Sequence, residues 1–465
     1  MSSIKENLEF LNNLDRRDAL KKMGALGVAP LFLSQTNKLE ASPIKTNAKI
    51  VIIGGGAGGI TVAARLSRKL ENPNITIIEP NPKHVYQAGH TLVGGGITKA
   101  EKLIVDTKDY IPDSAKWIQS IATQIDPDKQ KVSLQNGKVL DYDYLVVTPG
   151  LQYDWHRIEG LDPNDIGKNG LNTIYTLEGA KKTWEDIKRF SKKGGEALFT
   201  HPDTPIKCGG APKKIMYIMD DYLRQEGLRD RANLTYNANS SKLFTIPIFA
   251  KAIKSHFEDR NMNYNLKHNL VKIDVSKKIA TFKTTIKKKG AWDEDLEEYE
   301  EVIEDKFTTR EYDFIHVPPP MSAPDFIKES PLSWDKGAAG KLGLVKVDKY
   351  TLQHTKYKNV FSLGDVIGAP YGRTGGSVRK QAPVVVQNMI DVMAGREPSA
   401  KFSGYTVCPI ITRYGKVMLA EFDYTGKPAP TIPGIAVDEE RWMWWVMKVY
   451  ILEPMYFHGM LKGLA

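Results

Sequence analysis

Short β-branched apolar runs alternate with helical periodicity along most of this chain. Lys49–Ile53 (KIVII) reads as a strand, residues 60–70 as an amphipathic helix, and residues 75–78 as a second strand ending in Glu79. Further apolar runs at 143–147 and 359–363 close on Thr148-Pro149-Gly150 and on Gly364-Asp365. Another, at 197–200, predicts a strand in a second unit. Strands separated by helices imply an α/β fold with parallel sheets. From Arg441 the pattern changes to RWMWWVMKVYILEPMYFHGMLKGLA, rich in Trp and Tyr, and Pro454 predicts a division into two short helices. No run of 18 or more apolar residues occurs, so no segment reads as a membrane-spanning helix.

The link between the first strand and its helix carries the first chemistry. Gly54-Gly55-Gly56-Ala57-Gly58-Gly59 satisfies GxGxxG through Gly54, Gly56 and Gly59. Gly54 permits a tight turn, Gly56 lets backbone approach a pyrophosphate, and Gly59 lets helix and strand pack closely. Ala57 and Gly58 place amides at the helix start, where the dipole favours an anion. Glu79, with Pro80 after it, stands at the second strand's end, where an acid accepts the ribose hydroxyls. Strand, glycines, helix, strand and acid in register predict a dinucleotide site.

The segments ending in Thr148-Pro149-Gly150 and Gly364-Asp365 resemble accessory motifs of flavoproteins with two dinucleotide-binding domains, and the resemblance makes the dinucleotide FAD. It implies two Rossmann-like domains in a glutathione-reductase-like arrangement. Residues 47–154 and 321–395 are assigned to the FAD domain, 155–320 to the second domain, and 396–465 to a C-terminal region facing quinone and membrane. In the second domain, the loop after residues 197–200 is HPDTPIKCGGAPKKIMYI. It has no GxGxxG, and Pro202, Pro205 and Pro212 each lack the amide a phosphate cradle needs. A nicotinamide cofactor is therefore not expected there. Lys287-Lys288-Lys289 and the acidic stretch at 293–301 read as a solvated hairpin or insertion.

Composition sets the outer limits. A chain of 465 residues makes two or three domains. The net charge of +10 is spread over 65 basic residues, with no clustered patch or module for nucleic acid. His84, His201 and His316 lack ligand spacing, so no metal site is expected.

Residues 14–22 (LDRRDALKK), followed by MGALGVAPLFL, resemble a twin-arginine export signal through Arg16-Arg17 and the apolar run, although Ala19 stands where that motif prefers Phe. This implies that residues 1–46 are a signal segment and that the protein works at the periplasmic face of a bacterial cytoplasmic membrane.

There are two cysteines, Cys208 and Cys408. Spacing alone leaves a long-range disulfide, two idle thiols or a reactive pair. Their surroundings, TPIKCGGAPKKIMY and YTVCPIIT, together with HVPPPMSAPD, NVFSLGD and LAEFDY, resemble sulfide:quinone oxidoreductase, in the branch that includes the mitochondrial enzyme and within the flavin disulfide-reductase-like superfamily. The resemblance implies that Cys208 faces the flavin and Cys408 holds sulfane sulfur, with electrons passing from hydrogen sulfide through FAD to a membrane quinone. Lys380, in a helix after the Gly-Asp motif, would then stabilise the reduced ring. Glu159 is read either as a base for sulfide or quinone protons or as a solvated surface carboxylate. Tyr414 and Phe422 are candidate walls of a quinone pocket. The aromatic and basic residues of 441–462 read as a peripheral anchor at the membrane interface. The chain lacks the third cysteine of many bacterial members. It also lacks, in HVYQAGHTLVGG, the cysteine that tethers FAD in flavocytochrome c sulfide dehydrogenases, so FAD is expected to be non-covalent. A flavocytochrome c-type dehydrogenase and an NADH:quinone oxidoreductase are the alternatives, and a homo-oligomer is left open.

Overall fold

In the computed structural model, which describes residues 44–293 and 298–465, the repeated β–α–β pattern builds two parallel sheets. β1 (Lys49–Ile53), α1 (Ala57–Lys69) and β2 (Asn74–Ile78) follow the sequence reading closely. β1 reads as an unbroken apolar run because both its faces are covered, and Ile50 to Ile53 are all buried. α2 (His90–Gly94), β3 (Ala115–Ile118) and β4 (Tyr144–Val147) follow.

The second sheet takes β5 (Leu171–Asn172), β6 (Gly195–His201), β7 (Ala232–Ala238), β8 (Asn263–Leu266) and β9 (Phe314–His316). All its pairings are parallel, in the order β5-β9-β6-β7-β8. α3 (Leu177–Lys193) precedes β6, and α4 (Ala211–Gln225) follows the cysteine loop. Lys287-Lys288-Lys289 and the described residues of the acidic stretch lie on a long antiparallel strand pair, Ile279–Asp293 with Glu298–Glu311.

The chain then returns to the first sheet. β10 (Val360–Ser362) pairs with β4 and completes the order β10-β4-β1-β2-β3. α5 (Gly375–Met393) packs on α1. β11 (Thr406–Arg413) and β12 (Lys416–Phe422) form an antiparallel pair, and β11 lies against α4. That contact carries Cys408 to the second domain. One apolar core connects Ile52 in β1, Met216 in α4 and Trp445 near the C-terminus.

The C-terminal segment departs from the expectation of two helices parted by Pro454. Helical turns run without a break through Trp442–Val446 (α6), Met447–Ile451, Leu452–Pro454 and Met455–Met460. The turns on either side of Pro454 are wide π turns, which accommodate a residue that cannot donate the usual amide bond. Trp444, Trp445, Met447, Phe457 and Met460 pack inward, while Trp442, Met443, Tyr450 and Ile451 stay half-exposed. No described helix is long and apolar enough to cross a membrane. The paired arginines and the apolar run at 23–33 lie outside the described residues. The end of the 1–46 segment belongs to the fold, where Ile44–Lys45 pairs with Leu70–Glu71.

Candidate functional site

The glycine loop has the geometry its spacing predicts. Gly54 turns at φ +96°, where a Cβ would lie 2.3 Å from the Thr148 carbonyl oxygen. A Cβ on Gly59 would lie 1.8 Å from the Gly54 carbonyl oxygen, so α1 meets β1 only through glycine. Gly56 is different: nothing lies within 4 Å of its would-be Cβ, which points into open space. The Glu79 carboxylate accepts from the Gly55 amide at 2.8 Å and from Asn81.

That open space belongs to a cavity of about 620 Å³. Gly54, Gly56, Ala57, Gly58, Glu79, Thr148, Gly150, Gly364 and Asp365 line one end of it. Cys208 and Lys214 line it too, with Tyr86, Trp444, Met447, Lys448, Leu452 and Tyr456. Burial raises the Asp365 carboxyl, against the pull of Lys207 and Arg373. The open face of Gly56, the converging amides and the acid at the strand end suit a flavin dinucleotide. Such a group would rest on the loop 54–58, Glu79, Thr148, Gly150 and the Gly364-Asp365 pair.

The cysteine loop joins β6 to α4. Cys208 adopts φ +53°, a left-handed conformation rare for a residue with a Cβ, just before α4 begins. The Ala211 amide donates to its carbonyl at 2.8 Å. A Cβ on Gly210 would lie 2.5 Å from the Cys408 sulfur, so position 210 admits Cys408 only as glycine. The two cysteines, 200 residues apart in the chain, are hydrogen-bonded neighbours with separate thiols. Cys408 donates to Cys208, and Lys214 Nζ donates to Cys208 Sγ at 3.1 Å. Both contacts hold the Cys208 thiol well below its ordinary pKa despite burial, while Cys408 is held well above it as the donor in a buried site. Burial opposes charge on Lys214, but the two sulfurs outweigh it and raise its pKa. Lys448 donates to the Ala88 carbonyl at 2.7 Å. Burial, and then Lys214, push it down to about 7.

Several predicted residues lie elsewhere. Glu159 is exposed and pairs with Lys272 at 2.7 Å at the edge of the second domain, so it is the solvated carboxylate and not a base at the cavity. Pro80 is exposed off the cavity wall, its carbonyl taken by Gln119. Lys380 is half-buried on α5 but off the wall. The preceding residue, Arg379, takes the facing position, because one helical step turns a side chain by about 100°. Tyr414 donates to the Gly95 carbonyl at 2.7 Å and packs on Trp445. Phe422 packs on Phe244 and Tyr371. Both are packing residues outside the cavity wall. The sequence reading missed Lys213, Lys214 and Lys448. Two lysines in the first turn of α4, against the helix dipole, were the available signal that an anion faces them.

The family model described as pyridine nucleotide-disulphide oxidoreductase matches residues 48–193. The chain is 40% identical over 456 residues, 95% of each protein, to a protein of Dictyostelium discoideum named mitochondrial sulfide:quinone oxidoreductase. It is 36% identical over 421 residues, 90% of this chain and 87% of the relative, to the mitochondrial protein of that name in Mus musculus. Among solved structures, the sulfide:quinone oxidoreductase of the hyperthermophilic bacterium Aquifex aeolicus superposes with a TM-score of 0.68 at 20% identity, covering 89% of this chain and 91% of that one. The mitochondrial relatives overturn the expectation of twin-arginine export to a bacterial periplasm. Paired arginines are shared by export signals and by basic organellar presequences, so the motif did not discriminate between them.

Proposed function

The chain belongs to the sulfide:quinone oxidoreductase family, and we propose that it oxidises hydrogen sulfide at Cys208 and Cys408 and delivers the electrons to a quinone at the aromatic end of the cavity. The observation that carries this reading is the meeting of the two thiols beside the flavin-type cavity, with Cys208 and Lys214 on its wall and Cys408 buried behind Cys208. A non-covalent FAD, when bound, supplies a two-electron acceptor between sulfur and quinone.

The protein's own groups account for the sulfur chemistry. In the oxidised pair, hydrosulfide attacks one sulfur and the other leaves as thiolate. The better leaving group is the sulfur whose thiolate is more stable, and here that is Cys208 beside Lys214. Attack therefore falls on Cys408: a new sulfur–sulfur bond forms there, the bond between the cysteines breaks, and Cys208 departs with the electron pair. Cys408 is left as a persulfide, the sulfane sulfur to be passed on.

At the far end, Tyr86 and Tyr456 pack as a tilted pair at 4.8 Å between ring centroids, and the Tyr456 hydroxyl and His84 Nε2 share a hydrogen bond at 2.6 Å. With Met447, Leu452 and Met455 they make an apolar slot for a lipid-soluble headgroup. The half-exposed Trp442, Met443, Tyr450 and Ile451 support peripheral contact with a membrane surface there. The names of the relatives support a mitochondrial setting.

The test is electron supply. Purified protein with FAD should reduce a short-chain quinone with sulfide as donor and should leave it oxidised with NADH. Reduction by NADH at a comparable rate would overturn the reading.

A further inference from the structure

The C-terminal segment turns every fourth side chain toward the cavity. Trp444, Lys448, Leu452, Tyr456 and Met460 all line it. In a regular α-helix each step of four residues overshoots a turn by about 40°, so five such positions would wind about 160° round the axis. The wide π turns at Met447–Ile451 and Met455–Met460 hold more residues per turn and keep the stripe facing one way. Such turns gather at functional sites.

Three polar side chains fasten this segment to the first domain. Lys448 Nζ donates to the Ala88 carbonyl at 2.7 Å, and Lys462 Nζ donates to the Asp109 carbonyl at 2.6 Å. Between them, the Tyr456 hydroxyl and His84 Nε2 share a hydrogen bond at 2.6 Å across 372 positions of sequence. Phe457 packs on Tyr110 and Tyr86 beside it, with ring centroids 5.6 and 6.0 Å apart. The Tyr456 contact reaches furthest. His84 itself hydrogen-bonds the Gly55 backbone, and the Gly55 amide donates to the Glu79 carboxylate at 2.8 Å. Hydrogen bonds therefore run from the C-terminal segment through His84 to the loop and the acid that suit the dinucleotide. With both cysteines in the sulfur pair, neither tethers a flavin, so its retention falls to the cavity walls.

We propose that residues 444–460 are a clasp that retains FAD, fastened by the hydrogen bond between Tyr456 and His84, and that the cofactor leaves when this segment lifts from the first domain. The proposal rests on the FAD reading above. Tyr456 serves two neighbours: its ring walls the quinone slot, and its hydroxyl closes the flavin site.

The test compares FAD-loaded and flavin-free protein by hydrogen exchange read by mass spectrometry. Coupling between two sites is reciprocal, so a clasp that holds the flavin is held by it. FAD should slow exchange at least about tenfold in residues 54–59 and also in residues 444–460. Tyr456→Phe keeps the ring and removes the hydroxyl. It should speed FAD release about tenfold, followed as flavin fluorescence after dilution, because His84 is left unpaired in a buried site. The rise in melting temperature that FAD gives should shrink in this variant. A merely structural bond would lower the melting temperatures with and without FAD equally and leave release unchanged. FAD release within twofold of the parent in folded Tyr456→Phe overturns the proposal. If that variant does not fold, exchange in the unmodified protein decides: slowing in 54–59 with none in 444–460 overturns the clasp and leaves the flavin site standing. Slowing in neither segment, with no FAD taken up, overturns the flavin reading and the clasp with it.

Discussion

Lys214 Nζ donates to Cys208 Sγ at 3.1 Å and, after the hydrogen bond from Cys408, helps hold that thiol low. Without the lysine, the Cys208 thiolate keeps the hydrogen bond from Cys408 and the more distant charge of Lys448, while its burial penalty remains. In Lys214→Met, the Cys208 alkylation midpoint should rise by at least about one pH unit, and alkylation at neutral pH should slow about tenfold. The check is the rate of iodoacetamide labelling against pH in parent and variant. An unchanged profile would mean that Lys214 does not set the acidity of Cys208.

The glycine loop offers a contrast between two substitutions of one kind. Gly59→Ala puts a methyl 1.8 Å from the Gly54 carbonyl oxygen, so it should destabilise even flavin-free protein by about 2 kcal/mol or more. Gly56→Ala meets nothing within 4 Å and should leave the melting temperature of flavin-free protein unchanged while weakening FAD binding at least tenfold. Thermal melting with and without FAD, and fluorescence titration with FAD, separate the two. Equal loss of stability in both variants would contradict the assignment of Gly56 to the cofactor cradle.

Glu159 is a solvated partner of Lys272. Glu159→Gln should therefore keep sulfide oxidation within about twofold of the parent and should not shift its pH profile. A loss of tenfold or more would return Glu159 to the catalytic centre.

The parallel sheets, the glycine cradle and the cysteine contexts were legible because each depends on local spacing. KIVII before GGGAGG has few other uses, and Thr148 and Gly364 sit at strand ends that apolar runs reveal. The placements that could not be read depend on rotation about a helix or on distant packing. Lys380 and Arg379 differ by one helical step, and only the packing of α5 on α1 decides which faces the cavity. Tyr414 and Phe422 are aromatic residues near the right strands, but their rings are spent on Trp445, Phe244 and Tyr371. Lys448 comes near the sulfur pair from a segment read only as a membrane surface, a placement that depends on how that segment packs against Ala88.

Acid should unfold the protein well above the pH at which its carboxylates protonate. His90 is pushed down to about 4 and His316 to about 3, in both cases first by burial. Both have folded-state values below the unfolded 6.5, so the unfolded chain binds protons that the native state refuses. Stability is then complete above about pH 6.5 and falls as pH drops toward 4, by up to about 1.4 kcal/mol per pH unit for each histidine. Melting temperatures between pH 7.5 and 4.5 should decline steadily. His316→Asn should flatten the decline, and an unchanged slope would show that His316 does not contribute to it.

The central claim is that Cys208 and Cys408 act together between sulfide and flavin. Anaerobic addition of sulfide to the FAD-loaded protein, followed by stopped-flow absorbance of the flavin, tests it directly in the parent, Cys208→Ser and Cys408→Ser. The account predicts rapid bleaching in the parent and slowing by about a thousandfold or more in both variants, since neither sulfur alone can form the disulfide that hydrosulfide attacks. Bleaching at the parental rate in either variant would contradict it.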